Sequence, residues 1–236
     1  MTDLYYDKPS MKTILLFGLR RSGNHFLIST ILQQCSNYVH INDVNLDYNS
    51  YMKYKNIKQT LQRKDNQWTG FKDTECVIIS MENKQINKEE IDKFRIIDNC
   101  HIIMLLRTPY CHFSSVWKVY KKSQKHLLDI IKLWKIYAKL YLNNNSSIIN
   151  VLYDEYSINE NYRTNILNKI GFDNIKIDKK KTIAYQESSF QNEKEQRNVY
   201  KSLENCVFKD DKTFLNLVQD EEIKELYKAI QLIKTN

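Results

Sequence analysis

Glycine and proline are scarce in this chain, whose 236 residues include four glycines and two prolines. Two of the glycines, Gly18 and Gly23, stand close together between a short apolar run and a stretch with helical periodicity. In so glycine-poor a chain, this placement indicates a loop whose backbone approaches an anion closely or adopts a positive φ.

Other features are missing as well. The chain has no Gly/Ser/Pro-rich linker and no internal repeat, and its length suits one well-buried core, so we expect a single domain over residues 1–236. No apolar run is long enough to span a membrane, and the N-terminus lacks the features of a signal peptide. We therefore expect a cytoplasmic protein without a membrane anchor.

The five cysteines are odd in number and show no CxxC spacing, which predicts reduced core residues and neither a zinc site nor a disulfide framework: Cys35, Cys76, Cys100, Cys111 and Cys206. Hydrophobic residues make up 42% of the chain, as in globular proteins. The net charge of +8 favours anionic partners, although scattered lysine accounts for most of it. The basic residues form no stripe and no nucleic-acid-binding signature is present, so nucleic acid is not the expected partner.

Apolar runs of strand length alternate with amphipathic stretches, which predicts a P-loop NTPase-like α/β fold: a parallel sheet of about five strands with helices on both faces. The predicted strands lie near 13–17, 38–42, 68–72, 101–106 and 147–152. The predicted helices lie near 24–35, 50–63, 88–97, 110–142 with a break, 159–170, 192–204 and 220–233. Residues 172–191 are interpreted as a loop.

Residues 18–25 read GLRRSGNH, which has the GxxxxG spacing of a phosphate-binding P-loop. The Lys-Ser/Thr pair that nucleotide hydrolases use for phosphate and Mg²⁺ is replaced by Asn24 and His25. Such a loop still binds phosphate through backbone N–H groups and the start of the next helix, assisted by Arg20 and Arg21. The sequence therefore predicts an anion site without a metal.

A second segment, residues 101–115, also places a cationic residue between an apolar run of strand length and a predicted helix. The apolar run 101–106 ends at Arg107, followed by Thr108 and Pro109. Proline favours the first position of a helix, and an arginine at the end of a parallel strand lies where open α/β sheets bind ligands. Ser115, eight residues after Arg107, then falls two turns into that helix.

Together these segments resemble the sulfotransferase family, which uses 3′-phosphoadenosine 5′-phosphosulfate (PAPS) as sulfuryl donor. The loop matches the family's Lys/Arg-Ser-Gly at residues 21–23 and departs from its two threonines at Asn24 and His25. Arg107 and Ser115 keep the spacing of its second motif. Residues 71–74 (FKDT) are similar to a Lys-Asp-Pro segment of tyrosylprotein sulfotransferases, and residues 151–155 (VLYDE) to the family's Val-Arg-Tyr-Glu-Asp strand end.

The GLRRSGNH wording is most similar to a less characterised branch of the family. The resemblance covers residues 12–172, the expected core, and leaves 173–236 as a loop with C-terminal helices. It implies that the loop holds the 5′-phosphosulfate, that Phe26 stacks on adenine, and that Arg107 and Ser115 hold the 3′-phosphate. The implied nucleotide-binding set is Arg20, Arg21, Ser22, Gly23, Asn24, His25, Phe26, Arg107 and Ser115.

For catalysis, the resemblance implies that Arg21 stabilises charge on the sulfuryl group and that Lys72 reaches the same group. The base that takes the acceptor's proton is left open among Asp43, His40 and Asp73, in that order. The acceptor also stays open between a phenol, a glycan hydroxyl, a peptide hydroxyl and an amine. Alternative functions are a P-loop kinase of a small metabolite, a basic nucleic-acid-binding protein, and an inactive relative that binds nucleotide.

Overall fold

The computed structural model describes residues 11–42, 74–85, 88–143, 147–177 and 206–233. Within these ranges five parallel strands form one sheet in the order β2-β3-β1-β4-β5. The strands are β1 (Lys12–Gly18), β2 (Tyr38–Ile41), β3 (Cys76–Glu82), β4 (Cys100–Leu106) and β5 (Ile148–Leu152).

Four of these strands confirm predictions from the sequence, to within one or two residues at each end. The predicted strand at 68–72 and the predicted helices at 50–63 and 192–204 lie outside the described residues. Strand β3 was not predicted, although its sequence CVIISME is an apolar run of strand length. The described part of the sheet therefore has the expected number of strands, one of which, β3, was not among those predicted.

The helices are α1 (Asn24–Leu32), α2 (Lys88–Arg95), α3 (Pro109–Val119), α4 (Gln124–Leu142), α5 (Tyr153–Ile158), α6 (Glu160–Lys169), α7 (Lys212–Val218) and α8 (Glu221–Ile233). The predicted break in 110–142 is confirmed between α3 and α4, where Lys121 and Lys122 have left-handed φ values of 50° and 64°. Helices α5 and α7 were not predicted. None of the described helices combines the length and the apolar character needed to cross a bilayer.

Helices cover both faces of the sheet, as predicted. Alternate residues of β1 face opposite sides, because successive side chains of a strand point to opposite faces. Leu15 and Phe17 pack into one core cluster with α2, α3, α4, α7 and α8. Ile14 and Leu16 pack into the other with α1, α5 and α6. This two-sided burial explains why the strands are nearly continuous apolar runs.

The sheet order fixes where a site can form. Strand β1 is central, with β3 on one side and β4 on the other. Because all strands are parallel, the segments that follow β1, β3 and β4 leave from the same edge and become neighbours. In sheets of this kind ligands bind at that edge, where the strand order reverses direction.

Candidate active site

The loop between β1 and α1, residues 19–23, is the P-loop of this structure, and its bounding glycines are required by its geometry. A Cβ on Gly18 would lie 1.9 Å from Oδ1 of Asn24. Gly23 has a φ of 100°, and a Cβ there would lie 2.1 Å from the ring of Tyr153. Arg21 has a φ of 69°. The loop is therefore tightly turned and closely packed.

The loop opens directly into the start of α1, whose first turn offers unpaired donors. Among the described residues, no acceptor pairs with the backbone N–H groups of Gly23, Asn24 and His25. The first N–H groups of any helix lack partners within the helix, and the helix dipole places partial positive charge there. This end of α1 is therefore suited to an anion.

On one side, the loop is held by residues at the end of β3. The side chain of Asn83 accepts from the backbone N of Arg20 at 2.8 Å. Glu82 accepts from Nδ2 of Asn24 at 3.0 Å and pairs with Nε of Arg20 at 3.4 Å. We call Glu82 and Asn83 the β3 flank. Its acidic group balances the charge of Arg20.

On the other side, the loop contacts residues of β4 and α3. Nη1 of Arg107 donates to the carbonyl oxygen of Arg21 at 3.0 Å. Nε of Arg21 donates to Oγ of Ser115 at 3.4 Å, and Ser115 is buried. The guanidinium of Arg107 also lies 5.0 Å from the centre of the Tyr153 ring. Nε2 of His112 lies 2.7 Å from the carbonyl oxygen of Arg20. We call Arg107, His112 and Ser115 the β4 flank.

Positive charge is concentrated at the β4 flank. Burial lowers the pKa of Arg21, and the neighbouring charge of Arg107 lowers it further. In the part of the chain that the structure describes, no carboxylate forms an ion pair with Arg21 or Arg107. The buried Nε of Arg107 has no hydrogen-bond partner there either. An anion between these groups would relieve the repulsion and satisfy the donors.

The backbone around Arg107 is held firmly in place. Its carbonyl accepts from the indole nitrogen of Trp134 at 2.9 Å. The next residue, Thr108, donates its backbone N–H to the buried carboxylate of Asp154 at 2.7 Å. Pro109 then begins α3, as predicted. The guanidinium of Arg107 therefore extends from a rigid support.

The candidate base His40 lies at the end of β2. Its Nε2 is 3.2 Å from Oγ of Ser80, which donates to Asn42 at 2.9 Å. Because Ser80 has one hydrogen to donate, Nε2 of His40 is then the donor and Nδ1 carries the lone pair. Burial lowers the pKa of His40 to about 4, with a further contribution from the charge of nearby His25. His40 is thus neutral at physiological pH, the protonation state that a base requires.

The other predicted site residues differ in whether the structure describes them and in how exposed they are. Asp43, Lys72 and Asp73 lie outside the described residues, so their roles stay predictions. His25 is exposed at the start of α1. Ser22 and Asn24 are buried and bonded to each other, Oγ to Oδ1, at 3.1 Å. Their side chains face the loop interior. The backbone N–H of Ser22 donates to the carbonyl oxygen of Leu19 at 3.0 Å, so of these two residues only Asn24 offers its backbone N–H to a ligand.

The predicted stacking of adenine on Phe26 conflicts with the position of this ring. Phe26 is 5% exposed and packs edge-to-face against Tyr153 and Tyr156, at centroid distances of 6.1 and 5.7 Å. The guanidinium of Arg163 lies 5.8 Å from its centre. A stacking platform needs an exposed face, so Phe26 is a packing residue of the core and the prediction requires correction.

Several residues that shape the site were not predicted as site residues, namely Glu82, Asn83, His112, Tyr153 and Asp154. The end of the apolar run 76–81 was a usable signal for Glu82 and Asn83. Asp154 and Tyr153 lie in the VLYDE segment that resembles the family. His112 gave no signal, because its partner Arg20 is 92 positions away. Within the described ranges no cluster of three or more His, Cys, Asp or Glu side chains is suited to a metal ion.

Comparison with known proteins shows similarity in structure. No protein-family model and no curated protein match this sequence. The fold is similar to the sulfotransferase domain of the Synechococcus PCC 7002 olefin synthase, with a TM-score of 0.57, 13% identity, and 95% of each chain covered. Mouse sulfotransferase SULT7A1, solved with PAP, matches with a TM-score of 0.48 and 15% identity over 92% of this chain and 74% of that one. The Synechococcus similarity shows that this chain has the P-loop-like α/β fold of a sulfotransferase domain.

Proposed function

We propose that this protein is a sulfotransferase that moves a sulfuryl group from PAPS to a hydroxyl or amine acceptor. One observation carries the proposal: Arg21 and Arg107 lie together, without a carboxylate partner among the described residues, beside the unpaired N–H groups that begin α1. P-loop folds serve many chemistries, so the composition of the site has to distinguish them. PAPS carries both a 5′-phosphosulfate and a 3′-phosphate, which suits a site with two cations and several backbone donors.

In this proposal the loop and the β4 flank bind different groups of PAPS. The N–H groups at the start of α1, together with Arg21, bind the 5′-phosphosulfate and stabilise the charge that develops during transfer. Arg107 and Ser115 bind the 3′-phosphate. The guanidinium of Arg21 stays protonated at neutral pH, so its help to the leaving group is electrostatic.

A P-loop kinase is the alternative that the loop itself disfavours. Asn24 occupies the position of the kinase lysine, and its side chain is committed to the Leu19 carbonyl and Glu82. It therefore cannot reach a polyphosphate. Nucleotide binding by this protein should survive EDTA, whereas a strict requirement for Mg²⁺ would favour a phosphotransferase.

The decisive experiment is calorimetric titration with 3′,5′-adenosine bisphosphate (PAP), AMP and ATP. We expect PAP to bind at micromolar level or better, and more tightly than AMP or ATP, because Arg107 and Ser115 contact the 3′-phosphate. At a hundredfold excess over the dissociation constant, PAP should stabilise the fold by about 2.7 kcal/mol. Equal affinities for PAP and AMP would refute the 3′-phosphate assignment.

Turnover tests the remaining assignments. An acceptor screen with labelled PAPS should cover phenols, glycans, peptides and amines. With the acceptor found, Asp43→Asn, His40→Ala and Asp73→Asn are compared, since loss of a general base costs about 10² to 10⁴ in rate. We expect the largest loss for Asp43→Asn with PAP affinity unchanged, and a slower rate for Lys72→Ala. Wild-type rates in all three base variants would leave the proposed reaction without its base.

A further inference from the structure

Two consecutive carbonyl groups of the P-loop are held by side chains of the β4 flank. Nε2 of His112 lies 2.7 Å from the carbonyl oxygen of Arg20. Nη1 of Arg107 donates to the next carbonyl, that of Arg21. Both side chains come from the segment that joins β4 to α3 or from α3 itself. The loop backbone is therefore fixed at the two peptide groups that precede its anion-binding end.

The protonation state of His112 follows from its surroundings. Its side chain is fully buried, and burial together with the charges of Arg107 and Arg21 lowers its pKa to about 3. The ring is therefore neutral and carries a single N–H. A carbonyl oxygen only accepts, so that N–H is at Nε2 and points to Arg20. Nδ1 has no hydrogen-bond partner in the described part of the chain.

This contact controls the direction of the next loop N–H. A peptide group is planar and trans, so the N–H of Arg21 points opposite to the carbonyl of Arg20. With that carbonyl bonded to His112, the N–H of Arg21 is directed away from α3. If the peptide rotated, the carbonyl dipole would replace the N–H and repel an anion. The left-handed φ of Arg21, 69°, is unfavourable for a residue other than glycine and requires such support.

We propose that His112 is a positioning residue that locks the P-loop in its anion-binding conformation through the Arg20 carbonyl. The role rests on the proposed nucleotide site and adds to it a residue that does not touch the ligand. Packing alone would not explain the arrangement, because an apolar side chain would fill the same space without leaving Nδ1 buried and unpaired. The neutral ring also avoids a third positive charge beside Arg21 and Arg107.

The test compares His112→Gln with His112→Met, two side chains of similar length and shape of which only glutamine carries an N–H donor. We expect the glutamine variant to bind PAP within about threefold of the wild type. The methionine variant should bind at least about tenfold more weakly, because the Arg20 carbonyl loses the hydrogen bond from His112 that fixes its direction. Hydrogen exchange of residues 19–25 in the ligand-free proteins should be faster in the methionine variant only.

Equal PAP affinity and equal loop exchange in both variants would overturn the positioning role and leave His112 as a packing residue. If the methionine variant does not fold, the glutamine variant decides, and a tenfold loss of its affinity would refute the proposal. If the wild type binds no PAP, the proposed function fails, and the exchange comparison still shows whether His112 fixes the loop.

Discussion

The two flanks of the P-loop hold it with similar numbers of polar contacts but differ in charge. At the β3 flank, Glu82 compensates Arg20 and orients Asn24. At the β4 flank, Arg107 and Arg21 lie near each other, and among the described residues neither has an acidic partner. Both flanks fix the backbone, but only the β4 flank leaves positive charge uncompensated.

This difference separates support from binding. A buried donor without a partner costs about 1–3 kcal/mol, and Nε of Arg107 is such a donor. Proteins retain costs of this kind at functional sites, where a ligand satisfies the unpaired group. The β3 flank is complete without a ligand. Both flanks therefore support the loop, and we assign anion recognition to Arg107 and Ser115 of the β4 flank.

The largest effect should come from Arg107→Ala, which removes one of the two positive charges of this unbalanced cluster. We expect PAP affinity to fall by about 1.5–3 kcal/mol, the range for a hydrogen bond to a charged group. Arg20→Ala should cost less, because Glu82 already balances the charge of Arg20. Calorimetric titration of both variants measures the difference.

Arg95→Ala is the control for net charge, since Arg95 lies at the end of α2 and pairs with Asp92. It should leave PAP affinity unchanged. If Arg20→Ala weakened binding more than Arg107→Ala, the two flanks would have to exchange roles.

The second effect concerns pH. The folded-state pKa of His112 is about 3, below the unfolded value of about 6.5, so the neutral ring stabilises the fold fully above pH 6.5. This stability is lost as pH falls from 6.5 towards 3. Urea unfolding measures the free energy of unfolding at pH 7 and at pH 5. The decrease in this free energy from pH 7 to pH 5 should be about 2 kcal/mol smaller in His112→Gln than in the wild type. His40, whose folded-state pKa is about 4, contributes in the same direction to both proteins. Identical drops would show that folding does not lower the pKa of His112.

The fold could be predicted from the sequence because buried parallel strands have a distinctive, nearly continuous apolar sequence. Runs such as 13–17 and 101–106 are too apolar for any position except the centre of a covered sheet. Strand β3 was missed because its run, 76–82, contains a serine and ends in an acid. Helix α5 was also missed, because its six residues are too few to show helical periodicity, whereas the start of α6 at the Asn159 cap agrees with the prediction.

The candidate site could be predicted only in part from the sequence. The P-loop and Arg107 are local patterns, and a strand end followed by a helix start can be recognised from neighbouring residues alone. Contacts between distant segments cannot. The bond from His112 to Arg20 and the packing of Tyr153 on Gly23 exist only because the sheet order brings three strand ends together. Phe26 was misassigned for the same reason, as Tyr156 covers it from another segment.

The smallest effect should come from Glu82→Gln at the β3 flank. Glutamine keeps an oxygen that accepts from Asn24, so the loop retains its support, while the partly exposed ion pair with Arg20 is lost. Such pairs contribute about 0–1 kcal/mol, so the free energy of unfolding should change by less than about 1 kcal/mol. PAP affinity should stay equal or rise slightly, because a negative charge near the anion site is removed.

Glu89→Gln on α2 removes the same charge from an exposed pair with Lys93 and serves as the control. A tenfold loss of PAP affinity would place Glu82 in the binding site, and lost turnover with intact binding would instead make Glu82 the base and displace Asp43 and His40.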